Sequence, residues 1–318
     1  MLRKDFFLIF ICLLSTIACS NRPHQAADQK SPESCILPLP ELPEDASDSL
    51  KVSIILKNFW DPLDFKDTLV SHNKIFLEQN FANFAFLLSK CKYSTIVNQA
   101  VKKLLTRATE DKVVFDNLVE LAYLYLYNPD SPMFNEEIFI PFLEFLVTSS
   151  NVDPTSQERY QFLLEAASLN RPGQKANNFT YLDKGGNFKS LNTLLLPPDS
   201  KLLLIFFDPD CKICKDVILK ISDNLEIKEE VNQQKLTVLA IYSGDDKSLW
   251  ESNKNNFPDE WEIGFDNGSI DEGDLYFFRE LPTIYLLNSD KIIMAKDIKF
   301  ENLIQNLKNK YTNKDNKL

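Results

Sequence analysis

Two cysteines separated by two residues, in Cys211-Lys212-Ile213-Cys214, are the side chains of this 318-residue chain whose type and spacing suit covalent chemistry. Disulfide exchange needs one exposed thiolate to attack and a second thiol near enough to release the mixed disulfide by attacking in turn. If Cys211 opens a helix, the unpaired N–H groups and positive dipole end of the first turn face its sulfur and favour the attacking thiolate. Cys214, Ile218, Ile221 and Leu225 then fall on one helical face, which turns the second sulfur toward the core. Nearby charges oppose one another: Lys212 and Lys215 favour a thiolate, whereas Asp208 and Asp210 disfavour it. Half a zinc site is the rival chemistry, but His24 and His72 are the only histidines and neither sits in a supporting motif. A purely structural disulfide would close so short a loop that it removes little chain entropy.

The elements that must position this pair change character along the chain. All seven glycines lie at or beyond Gly173, and the composition shifts near Arg171-Pro172-Gly173. Before that point apolar residues recur at helical spacing: Val97, Val101, Leu104 and Ala108, then Phe115, Leu118, Ala122 and Tyr125. Asp153-Pro154 supplies an N-cap and first-turn proline for a helix running to about Asn170, with Tyr160, Leu163, Leu164 and Ala167 on its apolar side. Beyond the shift, Phe179–Asp183, Gly185-Gly186 and Asn187–Lys189 predict a hairpin, and the continuous apolar run Leu202–Phe207 predicts a central buried strand. Further strands are expected at Leu236–Tyr242, Thr283–Leu287 and Lys291–Met294, and helices after Cys211, around Ser248 and from Phe300. The expected organisation is a signal segment at 1–18, a proline-containing spacer at 19–49, an all-α domain at 50–171 and an α/β domain at 172–318.

The string Leu203-Leu204-Ile205-Phe206-Phe207-Asp208-Pro209-Asp210-Cys211-Lys212-Ile213-Cys214-Lys215 resembles the strand, loop and active-site helix of the thioredoxin superfamily. Leu281-Pro282-Thr283-Ile284-Tyr285 resembles that family's second landmark, a proline before a strand. The resemblance implies a thioredoxin-like fold, a cis proline at Pro282 lying against the cysteine pair, and Leu281 backbone groups free to pair with a bound peptide. The segment Ala176–Leu191 is similar to the extra N-terminal hairpin of membrane-anchored thioredoxins of the TlpA and ResA group. Two positions depart from the pattern: Asp210 stands where a tryptophan precedes the first cysteine, and Ile205 stands where a buried acid is usual. The proton acceptor for Cys214 is then Asp208 or a water. The helical part resembles the domain of unknown function that precedes thioredoxin-like domains in Bacteroidetes lipoproteins, carried by Phe59-Trp60-Asp61 and Tyr127-Asn128-Pro129-Asp130-Ser131-Pro132-Met133.

Arg3 and Lys4 followed by the apolar run Phe6–Leu14 read as an export signal, too short to span a membrane comfortably. Ser15-Thr16-Ile17-Ala18-Cys19 resembles a bacterial lipobox, with cleavage before Cys19 and lipid on its sulfur. A plain secretory signal with an incidental cysteine is the alternative. Either route leads to the cell envelope, where an oxidising compartment permits disulfide chemistry and where Cys35 and Cys91 are candidates for a second bridge. The net charge of -11 argues against nucleic acid as a partner.

Taken together, these features predict a lipid-anchored thiol–disulfide oxidoreductase acting on disulfide-containing protein substrates and recharged by a membrane electron donor, with no metal and no cofactor. The rival is a binding lipoprotein whose helical domain recognises a protein or glycan while the thioredoxin fold serves as scaffold. Trp60, Phe81, Phe84 and Phe86 could line a groove for such a ligand, although aromatics at helical spacing usually form core. The acidic set Asp61, Asp64 and Asp67 lacks the glycine turn and closing glutamate of a calcium loop and reads as a solvated helix start.

Overall fold

The computed structural model describes residues 36–266 and 268–308. The signal segment, Cys19, Cys35 and the tail beyond Lys308 lie outside them. The chain divides into two compact units, Met1–Phe162 and Leu163–Leu318. Among the described residues no helix is long and apolar enough to cross a membrane.

The first unit is all helical: α1 (Asp48–Asn58), α2 (Thr68–Ser71), α3 (Lys74–Lys90), α4 (Ser94–Ala108), α5 (Lys112–Ala122), α6 (Glu136–Thr148) and the start of α7 (Pro154–Ser168). Short polar side chains set the starts by accepting orphan N–H groups: Ser47 for α1, Asn73 for α3, Asp111 for α5 and Asn135 for α6. The apolar positions of α4 and α5 are buried as their spacing predicts, with one exception. After Ala122 the backbone widens into a π-turn, Tyr123–Tyr127. That extra residue per turn brings Leu126 and Tyr127 to the core and leaves Tyr125 half-buried, donating its hydroxyl to Glu78 at 2.9 Å. Leu37, inside the expected spacer, is also buried, and its N–H donates to Asn80 Oδ1 at 2.8 Å.

The helix α7, expected to run to about Asn170, ends at Ser168. Asn170 takes a left-handed φ of 52° and donates from Nδ2 to the Leu275 carbonyl at 2.7 Å. The Leu169 carbonyl accepts from Lys296 Nζ at 3.0 Å, so the chain after α7 is tied into the second unit.

The second unit holds β1 (Thr180–Asp183), β2 (Phe188–Ser190), β3 (Lys201–Phe207), α8 (Lys212–Asp223), α9 (Leu225–Asn232), β4 (Leu236–Tyr242), α10 (Lys247–Asn253), β5 (Glu262–Phe265), α11 (Ser269–Glu272), β6 (Thr283–Asn288), β7 (Ile293–Ala295) and α12 (Phe300–Lys308). The strands form one mixed sheet in the order β2-β1-β5-β4-β3-β6-β7. β3, β4 and β5 run parallel, while β6 pairs antiparallel with β3. Because side chains alternate along a strand, β3 divides its apolar residues between two cores. Leu203, Ile205 and Phe207 enter one together with Cys214, and Leu202, Leu204 and Phe206 enter the other.

Strand β5 was not anticipated. Its four residues are too few to show an alternation, and Gly264 weakens the signal further. Glycine is required there, because a Cβ would run into the Tyr181 ring and Ile241. Leu225, expected on the buried face of the cysteine helix, is 80% exposed. Asn224 ends α8 in an extended conformation and caps α9 through its side chain, which turns the chain and removes Leu225 from the face of Cys214 and Ile221.

Candidate active site

The cysteine pair sits just beyond the carboxyl end of β3, an interior strand of the sheet. Register explains its neighbours: Phe206 on β3 pairs with Thr283 on β6, so the loop that follows Phe207 lies beside the residues that precede Thr283. Leu281 and Pro282 are those residues, and the peptide bond between them is cis.

Cys211 is the N-cap of α8. Its sulfur accepts the Cys214 backbone N–H at 3.2 Å, so the helix start donates to the sulfur as the spacing predicts. The Cys211 thiol in turn donates to the Leu281 carbonyl oxygen at 3.8 Å. The Leu281 N–H has no partner among the described residues. Cys211 and Leu281 are both half-buried, and both pack on the core that contains Cys214.

Cys214 is fully buried. Burial pushes its thiol up to about 12, Cys211 and the charge of Asp208 add to the rise, and a hydrogen bond from the Asp208 backbone offsets part of it. The two sulfurs therefore differ in the way the exchange chemistry needs, one at a helix start near solvent and its neighbour sheltered and protonated. Alkylation of the reduced, folded protein at pH 8 should label Cys211 and leave Cys214 unlabelled until denaturant is added. Peptide mass mapping reads this directly, and equal labelling of both in the folded state would contradict the difference.

Of the charged residues around the pair, Asp210, Lys212 and Lys215 are exposed. Asp208 is half-buried, its Oδ1 accepts the Asp210 N–H at 2.6 Å, and its carbonyl accepts the Cys211 N–H at 3.1 Å. Asp208 thus shapes the loop that presents Cys211, a role its charge alone did not reveal. Ile205 is buried in the same core as Cys214, so no carboxylate approaches the sulfur from that position of β3. Aromatic rings complete the floor: Phe207 meets Phe257 at 5.1 Å, and Phe265 stacks on both Tyr242 and Trp250. Phe257 packs on this core and carried no sequence signal beyond its hydrophobicity.

The aromatic and acidic residues singled out in the helical unit take part in packing, ion pairing and capping. Trp60, Phe81 and Phe84 are buried, with Trp60 against Phe59 and Phe84 at 5.3 and 5.8 Å. Phe86 lies under the Lys90 ammonium. Asp61 pairs with Lys103 at 2.6 Å, Asp64 accepts the Lys66 N–H, and Asp67 caps α2. A cleft in the helical unit lies elsewhere, between α5 and α7. It encloses about 500 Å³ and is lined by Phe115, Val119, Tyr123, Phe139, Arg159 and Tyr160 among others. The Arg159 guanidinium rests 5.6 Å from both the Tyr123 and Tyr160 rings.

Residues 18–170 match a family model described as a domain of unknown function, DUF5106. A thioredoxin-like protein from Bacteroides caccae, known from its crystal structure, is 33% identical with a TM-score of 0.74, over 85% of this chain and 97% of that one. The chain belongs to the thioredoxin-like proteins. Its thioredoxin-like unit is joined to a helical unit of the DUF5106 kind, and the Cys211–Cys214 pair lies in the former. The chain is also similar, over 43% of its length, to a conserved protein of unknown function from Bacteroides fragilis, at 33% identity, 98% coverage of that chain and a TM-score of 0.41. A thiol-disulfide oxidoreductase from Bacteroides fragilis is 23% identical over 42% of this chain and 98% of its own, with a TM-score of 0.37. No protein of curated function matches.

Proposed function

We propose that this protein is a lipid-anchored thiol–disulfide oxidoreductase of the cell envelope that reduces protein disulfides. The observation that carries the proposal is the inequality of the two sulfurs: Cys211 caps a helix beside the Leu281–Pro282 peptide, and Cys214 is buried one turn on. In the reducing direction, the Cys211 thiolate attacks a substrate disulfide and releases one substrate thiolate. Cys214 then attacks Cys211, forming the intramolecular disulfide and releasing the second substrate thiolate. A membrane dithiol donor restores the pair. The anchor rests on the lipobox-like Ser15–Cys19 and the direction on the resemblance to membrane-tethered thioredoxins, which together support reduction on the envelope side.

Cys214→Ser is the direct test, because it leaves attack intact and removes the resolving thiol. Expressed in envelope extracts, the variant should accumulate protein partners joined through Cys211 and released by dithiothreitol. Absence of any thiol-dependent partner would remove the basis for exchange.

The cleft between α5 and α7 supports a second reading, a binding lipoprotein in which the helical unit recognises the ligand and the thioredoxin-like unit is a scaffold. The two readings differ over Cys211, which only the first requires.

A further inference from the structure

The cleft in the helical unit plays no part in disulfide exchange, and its lining residues run from Lys112 to Tyr160, wholly within the first unit. One wall is a single stripe that follows α5 into the π-turn: Phe115, Val119 and Tyr123 recur at helical spacing and share a face. Phe139 and Leu146 of α6 are buried and supply an apolar floor, and Arg159 and Tyr160 come from α7. A volume of about 500 Å³ is in the range that holds a small organic molecule. The π-turn Tyr123–Tyr127 begins on this wall, and such turns recur at functional sites.

The charges that line the cleft are unequally engaged. Asp116 receives the Lys112 ammonium on both carboxylate oxygens, at 2.9 and 2.8 Å. Asp153 is held at the start of α7, where its Oδ1 accepts the Ser156 N–H at 3.0 Å. Arg159 differs: its guanidinium lies over the Tyr123 and Tyr160 rings, and none of its N–H donors meets an acceptor among the described residues. Tyr123 is itself held by Tyr127 at 5.2 Å and Phe139 at 6.4 Å. Two rings thus keep a planar fork of donors in place beside an apolar floor, so little order is lost when the fork takes a carboxylate.

We propose that this cleft binds a small organic monocarboxylate, with its carboxylate on Arg159 and its apolar body against Phe115, Val119 and Phe139. The proposal goes beyond disulfide exchange, does not depend on Cys211, and gives the second reading a ligand class. A single negative charge is indicated by the acids nearby. Burial raises the Tyr160 hydroxyl, Arg159 lowers it, and Asp116 and Asp153 raise it further, so both carboxylates stand near enough to repel a phosphate dianion. Glu120, which also lines the cleft, adds to that repulsion. A cationic ligand would find Asp116 and Asp153 already engaged and would meet the unpaired charge of Arg159.

Isothermal titration calorimetry of the full chain tests this with phenylacetate as the probe and benzyl alcohol and benzylamine as its neutral and cationic counterparts. Phenylacetate is expected to bind one-to-one with a Kd of about 1 mM or below, and both counterparts at least about tenfold more weakly. Arg159→Gln removes the charge and puts another good helix former at an exposed position. It should weaken phenylacetate about tenfold or more and leave the unfolding midpoint unchanged. Val119→Trp fills the cleft, keeps Arg159, and should abolish binding, which separates the cleft from an arginine acting alone. Should either variant fail to fold, the three probes on the unmodified chain still decide. No heat from phenylacetate at about 10 mM, equal affinity for benzylamine, or undiminished affinity in folded Arg159→Gln or Val119→Trp overturns the assignment. None of these results bears on disulfide exchange, which Cys214→Ser tests separately.

Discussion

Cys211→Ser is expected to abolish turnover of a disulfide-bonded test protein, a loss of roughly 10³-fold or more against the background of free thiols, because a serine hydroxyl supplies no thiolate at neutral pH. The structure makes this substitution unusually clean. Cys211 already serves as the N-cap of α8 by accepting the Cys214 N–H, and serine is among the best residues for that task. The helix should therefore form as before, with circular dichroism and the unfolding midpoint unchanged. Cys214 cannot take over, since it is buried and its thiol is held up to about 12. The same variant separates the two functional readings. A strain carrying Cys211→Ser that keeps the cellular role of the protein would point to the helical cleft and not to the cysteines. Cys211→Ser protein that still turned over disulfides in vitro would end the proposal that this pair is the redox centre.

What was legible in the sequence follows from how local each signal is. The run Leu236–Tyr242 is a strand over those residues, and Leu202–Phe207 lengthens by only Lys201, because buried parallel strands are continuous apolar runs bounded by polar residues. The spacing of Cys211 and Cys214 placed one sulfur at a helix start and the other in the core, which is where they lie. Local signals failed where a single residue changes the path. Asn224 ends one helix and caps the next, so continuing the helical spacing carried Leu225 onto a face it does not occupy. The π-turn after Ala122 shifted Tyr125 off the core in the same manner. Strand β5 is fixed by Tyr181 and Ile241 closing over Gly264, a tertiary constraint invisible in four residues. The approach of Cys211 to Leu281 comes from the pairing of Phe206 with Thr283, which no local pattern encodes and which resemblance alone anticipated. Asp208 was read as a charge and a candidate proton acceptor, whereas its carbonyl and Oδ1 bind the loop that presents Cys211, and backbone roles leave no mark on composition.

Phe206→Ala tests the other face of the same strand and should give the largest loss of stability. The ring is fully buried, with Tyr276 and Phe278 at 4.8 Å, Phe179 at 5.6 Å and Tyr285 edge-on at 6.1 Å. Removing it strips four aromatic neighbours of their common partner and leaves a cavity that rings fixed by the sheet and the Ala176–Leu191 hairpin cannot collapse to fill. The cost is about 3–5 kcal/mol, which in a unit of this size lowers the thermal midpoint by roughly 10 °C or more. Unfolding followed by circular dichroism, with Trp250 and Trp261 fluorescence reporting on the second unit, measures it; a loss below about 1 kcal/mol would mean that this cluster is not a packed core. The consequence for chemistry is indirect. β3 carries Phe206 on one face and Phe207, which packs in the same core as Cys214, on the other. Below its lowered midpoint the variant should therefore keep Cys214 protected from alkylation and exchange disulfides at the normal rate, and it should lose both properties together as the sheet unfolds. Loss of Cys214 protection at temperatures where the sheet remains intact would show instead that the two cores are coupled through β3 in the native state.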